Sequence, residues 1–172
     1  VVRSRKELFE EFPTRNNAFL GKDIQVACLG ADSVHPSYRG NKINENMIRY
    51  RLKQAELLGI SDSVSIIDRK NVWNMRPYFS NDFAMMGADI DPSDGGDIAL
   101  MHRRLGKAGI SRENGFTEVP VNDYRRLNQM FATGHIATGY NSDSQALRLV
   151  RCDDYVLPRI GMMLLTRRSY VK

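Results

Sequence analysis

The stretch VHPSYRGNKIN, residues 34–44, decides the fold, because it joins a predicted strand to the clearest helix in the sequence. The strand is predicted over Ile24–Val34, and residues 37–41 read as a tight loop. The helix is predicted over Lys42–Leu58, where apolar residues recur at three- and four-residue spacing. They are Ile43, Met47, Ile48, Leu52 and Ala55. Gly59 follows where a helix C-cap belongs.

The same stretch has the chemistry of an anion site. Backbone N–H groups at the loop and in the first helical turn lack internal acceptors, and the helix dipole adds partial positive charge there. Arg39 and Lys42 add formal charge, and Gly40 permits close approach of a ligand to the backbone. The pattern favours a diphosphate cradle. The alternative is a solvated turn between a strand and a helix.

Further elements follow along the chain. A strand is predicted at Ser63–Ile67 and a shorter helix within Val72–Asp82. Strands at Ala84–Ile90 and Asp97–His102 flank the turn-forming sequence DPSDGG, which predicts a hairpin. Trp73 and Met85 are interpreted as core or interface residues.

The two ends of the chain read differently from this central part. Val1–Glu11 is predicted to be a short polar helix, and Gly106–Gly115 a linker. Beyond the linker a second small unit of strands and one helix is expected. Its predicted elements are Thr117–Val121, Asp123–Ala132, His135–Tyr140, Ala146–Cys152 and Ile160–Thr166. We therefore expect a core over residues 1–105 and a small αβ unit over 106–172 packed on it.

The pattern V-x-P-x-Y-R-G before an amphipathic helix resembles the acetyl-CoA motif of GCN5-related N-acetyltransferases, the GNAT superfamily. The family loop reads Arg or Gln, two residues, Gly, one residue, then Gly or Ala. Arg39 matches it, whereas Lys42 and Asn44 replace the small residues. Asn71, Tyr78 and Asp82-Phe83 fall at the spacings of a family Asn, Tyr and Gly-Phe, with Asp82 in place of Gly. The resemblance covers residues 19–105.

The resemblance implies a mixed α+β, three-layer sandwich, in which a twisted, mainly antiparallel sheet carries helices on both faces. The strand, two helices and two strands that the family places before the motif do not fit before Val34. The implied activity is transfer of an acetyl group from acetyl-CoA to an amine on a small molecule or peptide. The amine attacks directly in a ternary complex.

Site residues follow from the same resemblance. Those expected to bind coenzyme A are Ser33, Val34, His35, Arg39, Gly40, Asn41, Lys42, Ile43, Asn44 and Asn71. Tyr78 is expected to protonate the departing thiolate. Two alternatives stay open, since Asn71 also suits a helix cap and Tyr78 a core aromatic. The residues do not identify a catalytic base.

Composition limits the other classes. The net charge of +5 favours a polyanionic partner. No apolar run approaches the ~20 residues of a membrane span, and two unpaired cysteines fit a cytoplasmic protein without a membrane partner. The three histidines lack metal-ligand spacing, so no metal is expected. A homodimer is left open. The alternative function is a non-catalytic CoA-binding or interaction module, and nucleic-acid binding ranks last.

Overall fold

The computed structural model describes residues 2–4, 25–30, 33–90, 95–106 and 115–152. In these ranges one mixed sheet is flanked by three helices. The strands are β1 Val2–Ser4, β2 Gln25–Leu29, β3 Asp62–Asp68, β4 Ala84–Ile90, β5 Asp97–Arg104, β6 Thr117–Pro120, β7 His135–Asn141 and β8 Ala146–Arg151. The helices are α1 Ile43–Leu57, α2 Val72–Phe79 and α3 Tyr124–Ala132. The strand order is β1-β2-β3-β5-β4-β7-β8-β6, which confirms the predicted α+β class and mainly antiparallel sheet.

The strands β2 and β3 run parallel, with Val26 opposite Asp62 and Leu29 opposite Ser65. Of the strand pairs in the described part of the chain, theirs alone is parallel. Parallel neighbours need a crossover between them, and α1 supplies it. The start of α1 therefore lies at the carboxyl end of β2.

The helix α1 has a clear packing face and a clear stop. Ile48, Leu52 and Ala55 are buried, as their spacing predicts. At the C-terminus Gly59 has φ of 72°, and its N–H donates to the Glu56 carbonyl. The Ile60 N–H donates to the Ala55 carbonyl. This pair of bonds is a Schellman motif, which needs a residue that tolerates positive φ at the glycine position.

The strands β4 and β5 form the predicted hairpin, but β5 is the inner strand. It lies between β3 and β4, pairing antiparallel with both. Ile67 faces Ala99 and Ser65 faces Met101 in the β3–β5 ladder. The strand that precedes α2 is thereby held in the centre of the sheet.

The C-terminal elements extend this sheet instead of standing apart from it. β7 pairs with β4 at Met85 and Ala137, and β8 and β6 follow outward. One buried cluster contains residues from both halves, including Met101, Leu127 and Leu149. The two predicted units thus share a sheet and a core.

A buried arginine also ties the halves together. Arg69, directly after β3, is 4% exposed, and its guanidinium binds the Asp97 carboxylate at 3.0 Å. Its Cζ lies 3.4 Å from the ring centroid of Tyr124, the first residue of α3. Such a desolvated cation–π contact contributes about 2 kcal/mol. One side chain therefore connects β3, β5 and α3.

All three helices pack on one face of the sheet. Their buried residues belong to the same cluster as Ala27, Ile67 and Ala137. The opposite face is also buried, at Val26, Val64, Ala84 and other apolar residues. Helices were expected on both faces of the sheet. Within the described residues they cover one face.

Two predicted elements need correction, and other predictions lie outside the described ranges. The predicted helix over Val1–Glu11 is wrong at Val2–Ser4, which pair antiparallel with Gln25–Ala27, because backbone pairing at a sheet edge outweighs a weak local helix preference. The strand predicted to reach Val34 ends at Leu29. Residues 5–24, 107–114 and 153–172, which include the last predicted strand, lie outside the described part.

The opposite face contains a buried acid–base pair. His102 Nε2 lies 2.9 Å from Asp62 Oδ1, with side-chain exposures of 1% and 9%. Burial raises the pKa of Asp62. The hydrogen bonds from His102 and Ser61, with the charge of Arg104, outweigh this effect and hold that pKa below its ordinary value.

Asp62→Asn should therefore weaken the fold in a pH-dependent way. A carboxylate with a lowered pKa contributes stability above its unfolded pKa of about 4, and that contribution is lost as the pH falls through the folded value. We expect the free energy of unfolding of the variant to be about 1.5–3 kcal/mol below that of the wild type at pH 7. The difference should be smaller at pH 3. Urea unfolding at both pH values measures this.

Asp143→Asn is the control, since Asp143 is exposed. It should unfold like the wild type at both pH values. A stability deficit of Asp62→Asn that is the same at pH 3 and pH 7 would contradict the role assigned to the ionised carboxylate.

Candidate functional site

A notch opens in the sheet where β2 stops. The ladder between β2 and β3 ends at Leu29 and Ser65, but β3 continues through Asp68. Among the described residues none pairs with Ile66–Asp68 on the β2 side. Ligands of parallel strands bind in such crevices at the carboxyl ends. The notch is thus a candidate site on position alone.

The start of α1 adjoins this notch. Its N-cap, Lys42, has φ of 54° and ψ of 21°, and its side chain caps no N–H group. The first intrahelical bond runs from the Asn46 N–H to the Lys42 carbonyl. The N–H groups of Ile43–Glu45 therefore have no acceptor within the helix. They are donors available to an anion.

The loop before α1 is held by its own hydrogen bonds. His35 caps the short 3-10 turn Pro36–Tyr38, its Nδ1 accepting the Ser37 N–H at 3.3 Å. Arg39 Nε donates to the Val34 carbonyl at 3.2 Å. Asn41 Nδ2 donates to the Tyr38 carbonyl at 3.1 Å. These three hydrogen bonds tie the loop to its own backbone.

The starts of α1 and α2 are joined by one side-chain bond. Asn44 Nδ2 donates to Asn74 Oδ1 at 2.9 Å. Asn44 replaces a small family residue, and its side chain lies against α2 rather than across the loop. Its Oδ1 is buried and has no hydrogen-bond partner. This unsatisfied acceptor lies at the contact between the starts of α1 and α2.

Charge at the loop is largely positive. Arg39 and Lys42 are exposed, and neither makes an ion pair with a described residue. Glu45 adds a negative charge in the first turn of α1. Its carboxylate is bound by Arg49 at 3.0 Å, which offsets that charge. Arg39 and Lys42 are therefore the two positive charges that directly precede the N–H groups of Ile43–Glu45 along the chain.

Two strained residues stand where the family has glycine. Among described non-glycine residues, Lys42, Asp82 and Gln145 have positive φ, at 54°, 58° and 49°. Lys42 and Asp82 are the two positions at which the sequence substitutes a family glycine. An L-residue in this region costs about 1–2 kcal/mol. Lys42 and Asp82 therefore adopt a backbone conformation that glycine favours, although both have side chains.

Asn71 serves as the N-cap of α2. Its Oδ1 accepts the Asn74 N–H at 3.1 Å, as the cap alternative predicted. Pro77 lies inside α2, so the Trp73 carbonyl loses its helical donor. The helix ends two residues later, which limits the cost. The side-chain oxygen of Asn71 is therefore used by the cap.

Tyr78 lies in the core. It is 2% exposed, and its ring meets Phe83 edge-on at 5.0 Å between centroids. A general acid needs hydrogen-bond reach to the leaving group. The burial of Tyr78 therefore favours the core alternative.

His35 is poorly arranged to act as a base. Its Nδ1 lone pair accepts the Ser37 N–H. In the neutral ring the proton then resides on Nε2. Neither nitrogen offers a free lone pair, so the loop contains no ready base at His35.

The structure thus gathers most of the predicted binding residues at one place. Residues 33–44 form a continuous loop and helix start, and Asn71 caps the neighbouring helix. Sequence reasoning missed Asn74, whose link to Asn44 spans 30 residues and has no local signature. It also offered a core or an interface position for Trp73, and the exposed fraction of 71% shows that the core position is wrong. The spacing of Met75, Phe79 and Tyr78 as a buried stripe was the available signal for its outward position.

The sequence was compared with family models and with curated proteins. No family model matches the sequence, and no curated protein matches it significantly. Within the described ranges, no three His, Cys, Asp or Glu side chains cluster as metal ligands. None of the helices described is both long and apolar enough to cross a bilayer. The functional proposal therefore rests on the geometry of the notch.

Substitutions at Lys42 test the strained backbone. Lys42→Gly and Lys42→Ala remove the same charge, but only glycine relieves the positive φ. We expect the glycine variant to be about 1 kcal/mol more stable than the alanine variant in urea unfolding. At Lys53, inside α1, we expect the opposite order: Lys53→Ala should be about 1 kcal/mol more stable than Lys53→Gly. Equal stability of the two Lys42 variants would show that the position is unstrained.

Proposed function

We propose that the protein binds coenzyme A at the notch and transfers an acyl group, most simply acetyl, from it to an amine. One observation carries the proposal. The uncapped start of α1 lies at the carboxyl end of the β2–β3 parallel pair, with Arg39 and Lys42 beside it. Backbone N–H groups and two cations suit the two negative charges of a diphosphate.

The sequence resemblance to GNAT-type acetyltransferases supports the same reading. In chain order the structure has a strand, a crossover helix, a parallel strand, a second helix and a closing hairpin. The positive φ angles at Lys42 and Asp82 add support from backbone conformation. Membership of that superfamily is part of the proposal.

The notch also suits the amide-bearing arm of coenzyme A. On the β2 side, Ile66–Asp68 pair with no described strand, so their backbone offers donors and acceptors, as a sheet edge does to an added peptide strand. On the other side, the N–H groups of Ser33–His35 donate to no described residue. An arm with two amides would bond to both sides.

The chemistry assigned to this arrangement is direct aminolysis. The amine nitrogen attacks the thioester carbonyl carbon, so a C–N bond forms and the C–S bond breaks. An N–H of Ser33–His35 stabilises the developing oxyanion. The thiolate takes up a proton, the amine releases one, and holding both reactants together supplies most of the rate gain.

Charge removal at the loop tests the placement of the phosphates. Arg39→Ala and Lys42→Ala should each weaken acetyl-CoA binding about tenfold, because each removes a charge-assisted contact. Calorimetric titration measures the affinity. Lys53→Ala removes an exposed cation further along α1 and should bind like the wild type. Unchanged affinity in the Arg39, Lys42 double variant would refute the proposed cradle.

A non-catalytic CoA-binding module is the second candidate, and the burial of Tyr78 favours it. The two candidates share the binding site and differ only in turnover. Thiol release from acetyl-CoA over a panel of amines separates them. Binding without thiol release would support the module.

Tyr78→Phe decides the role of the hydroxyl if turnover is found. As a general acid Tyr78 should contribute at least about 100-fold to kcat, with acetyl-CoA affinity unchanged. As a core aromatic its loss should lower stability by about 1 kcal/mol and leave kcat as it was. The two readouts, kcat and urea unfolding, therefore give opposite patterns. Phe79→Leu is the control, since it perturbs the same core without touching a hydroxyl.

A further inference from the structure

Trp73 is a large aromatic side chain left in solvent. It lies in the first turn of α2 and is 71% exposed, although its neighbours Met75 and Phe79 are buried. It is the single tryptophan of the chain. An exposed tryptophan beside a candidate ligand site is a common binding platform.

The backbone of Trp73 lies close to the start of α1. The next residue, Asn74, accepts a hydrogen bond from Asn44, so the first turns of the two helices touch. A helix rises about 1.5 Å per residue and is about 10–12 Å wide with side chains. Trp73 is therefore within about one helix width of the N–H groups proposed to hold the diphosphate. In coenzyme A a single ribose separates that diphosphate from adenine.

A cation accompanies the ring. The Arg76 guanidinium carbon lies 5.2 Å from the Trp73 ring centroid. This contact occupies part of the indole and leaves most of its surface to solvent. Purine bases stack on such aromatic surfaces, and arginine adds to the attraction. The same arginine would bring positive charge to the phosphorylated ribose.

We propose that Trp73, with Arg76, is the adenine-binding platform for coenzyme A. This rests on the proposed function, since it assumes the diphosphate at the start of α1. The adenine stacks on the open face of the indole and anchors the nucleotide end of the cofactor. The acyl end remains in the notch between β2 and β3.

The test compares two ligands that share the reactive arm. Coenzyme A contains adenosine, whereas 4′-phosphopantetheine lacks it. The full chain is titrated with each, following both heat and tryptophan emission. We expect coenzyme A to quench the emission and 4′-phosphopantetheine to leave it unchanged. Trp73→Ala should weaken coenzyme A binding about tenfold or more and leave 4′-phosphopantetheine binding as it was.

Phe116→Ala is the matched control. Phe116 is 54% exposed and lies 5.0 Å from the Arg148 guanidinium carbon, a similar pair at the far edge of the sheet. Its loss should change neither affinity. Tight coenzyme A binding without quenching, or Trp73→Ala binding like the wild type, overturns the platform and leaves the proposed function standing. Absence of heat with coenzyme A on the folded wild type overturns both.

Discussion

The parallel pairing of β2 with β3 is the constraint from which the rest of the site follows. Because parallel strands require a crossover, α1 must lie over them and begin at the carboxyl end of β2. Because β2 stops at Leu29 while β3 continues to Asp68, the end of β3 has an edge that pairs with no described strand. Within the part of the chain that the structure describes, helical N–H groups and strand groups without partners are thereby brought close together.

The sequence predicts the regular elements well where the signal is local. Periodicity and a C-terminal glycine give α1 as Lys42–Leu58, and the structure has Ile43–Leu57. The β4–β5 hairpin follows from strong turn residues. Periodicity does not indicate which strand of a hairpin lies inside the sheet, so the position of β5 between β3 and β4 could not be predicted. The three-residue strand β1 is too short for a local signal and depends on its pairing with β2.

The site shows the same division. The loop from Ser33 to Asn44 has a local sequence signature, because a glycine, two cations and a helix start follow one another within it. The Asn44–Asn74 bond joins two helices, and neither segment alone has a sequence pattern that predicts it. Arg69 is a similar case, since its contacts with Asp97 and Tyr124 arise from tertiary structure. It also explains how the C-terminal elements are fixed to the strand that borders the notch.

Backbone NMR of the ¹⁵N-labelled chain titrated with coenzyme A tests the central claim most directly, because the proposed donors are amide N–H groups. The account predicts that the largest shifts fall on the amides of Gly40–Glu45, and that pyrophosphate alone moves the same amides. Shifts confined to other parts of the sheet, with these six amides unmoved at saturation, would contradict it.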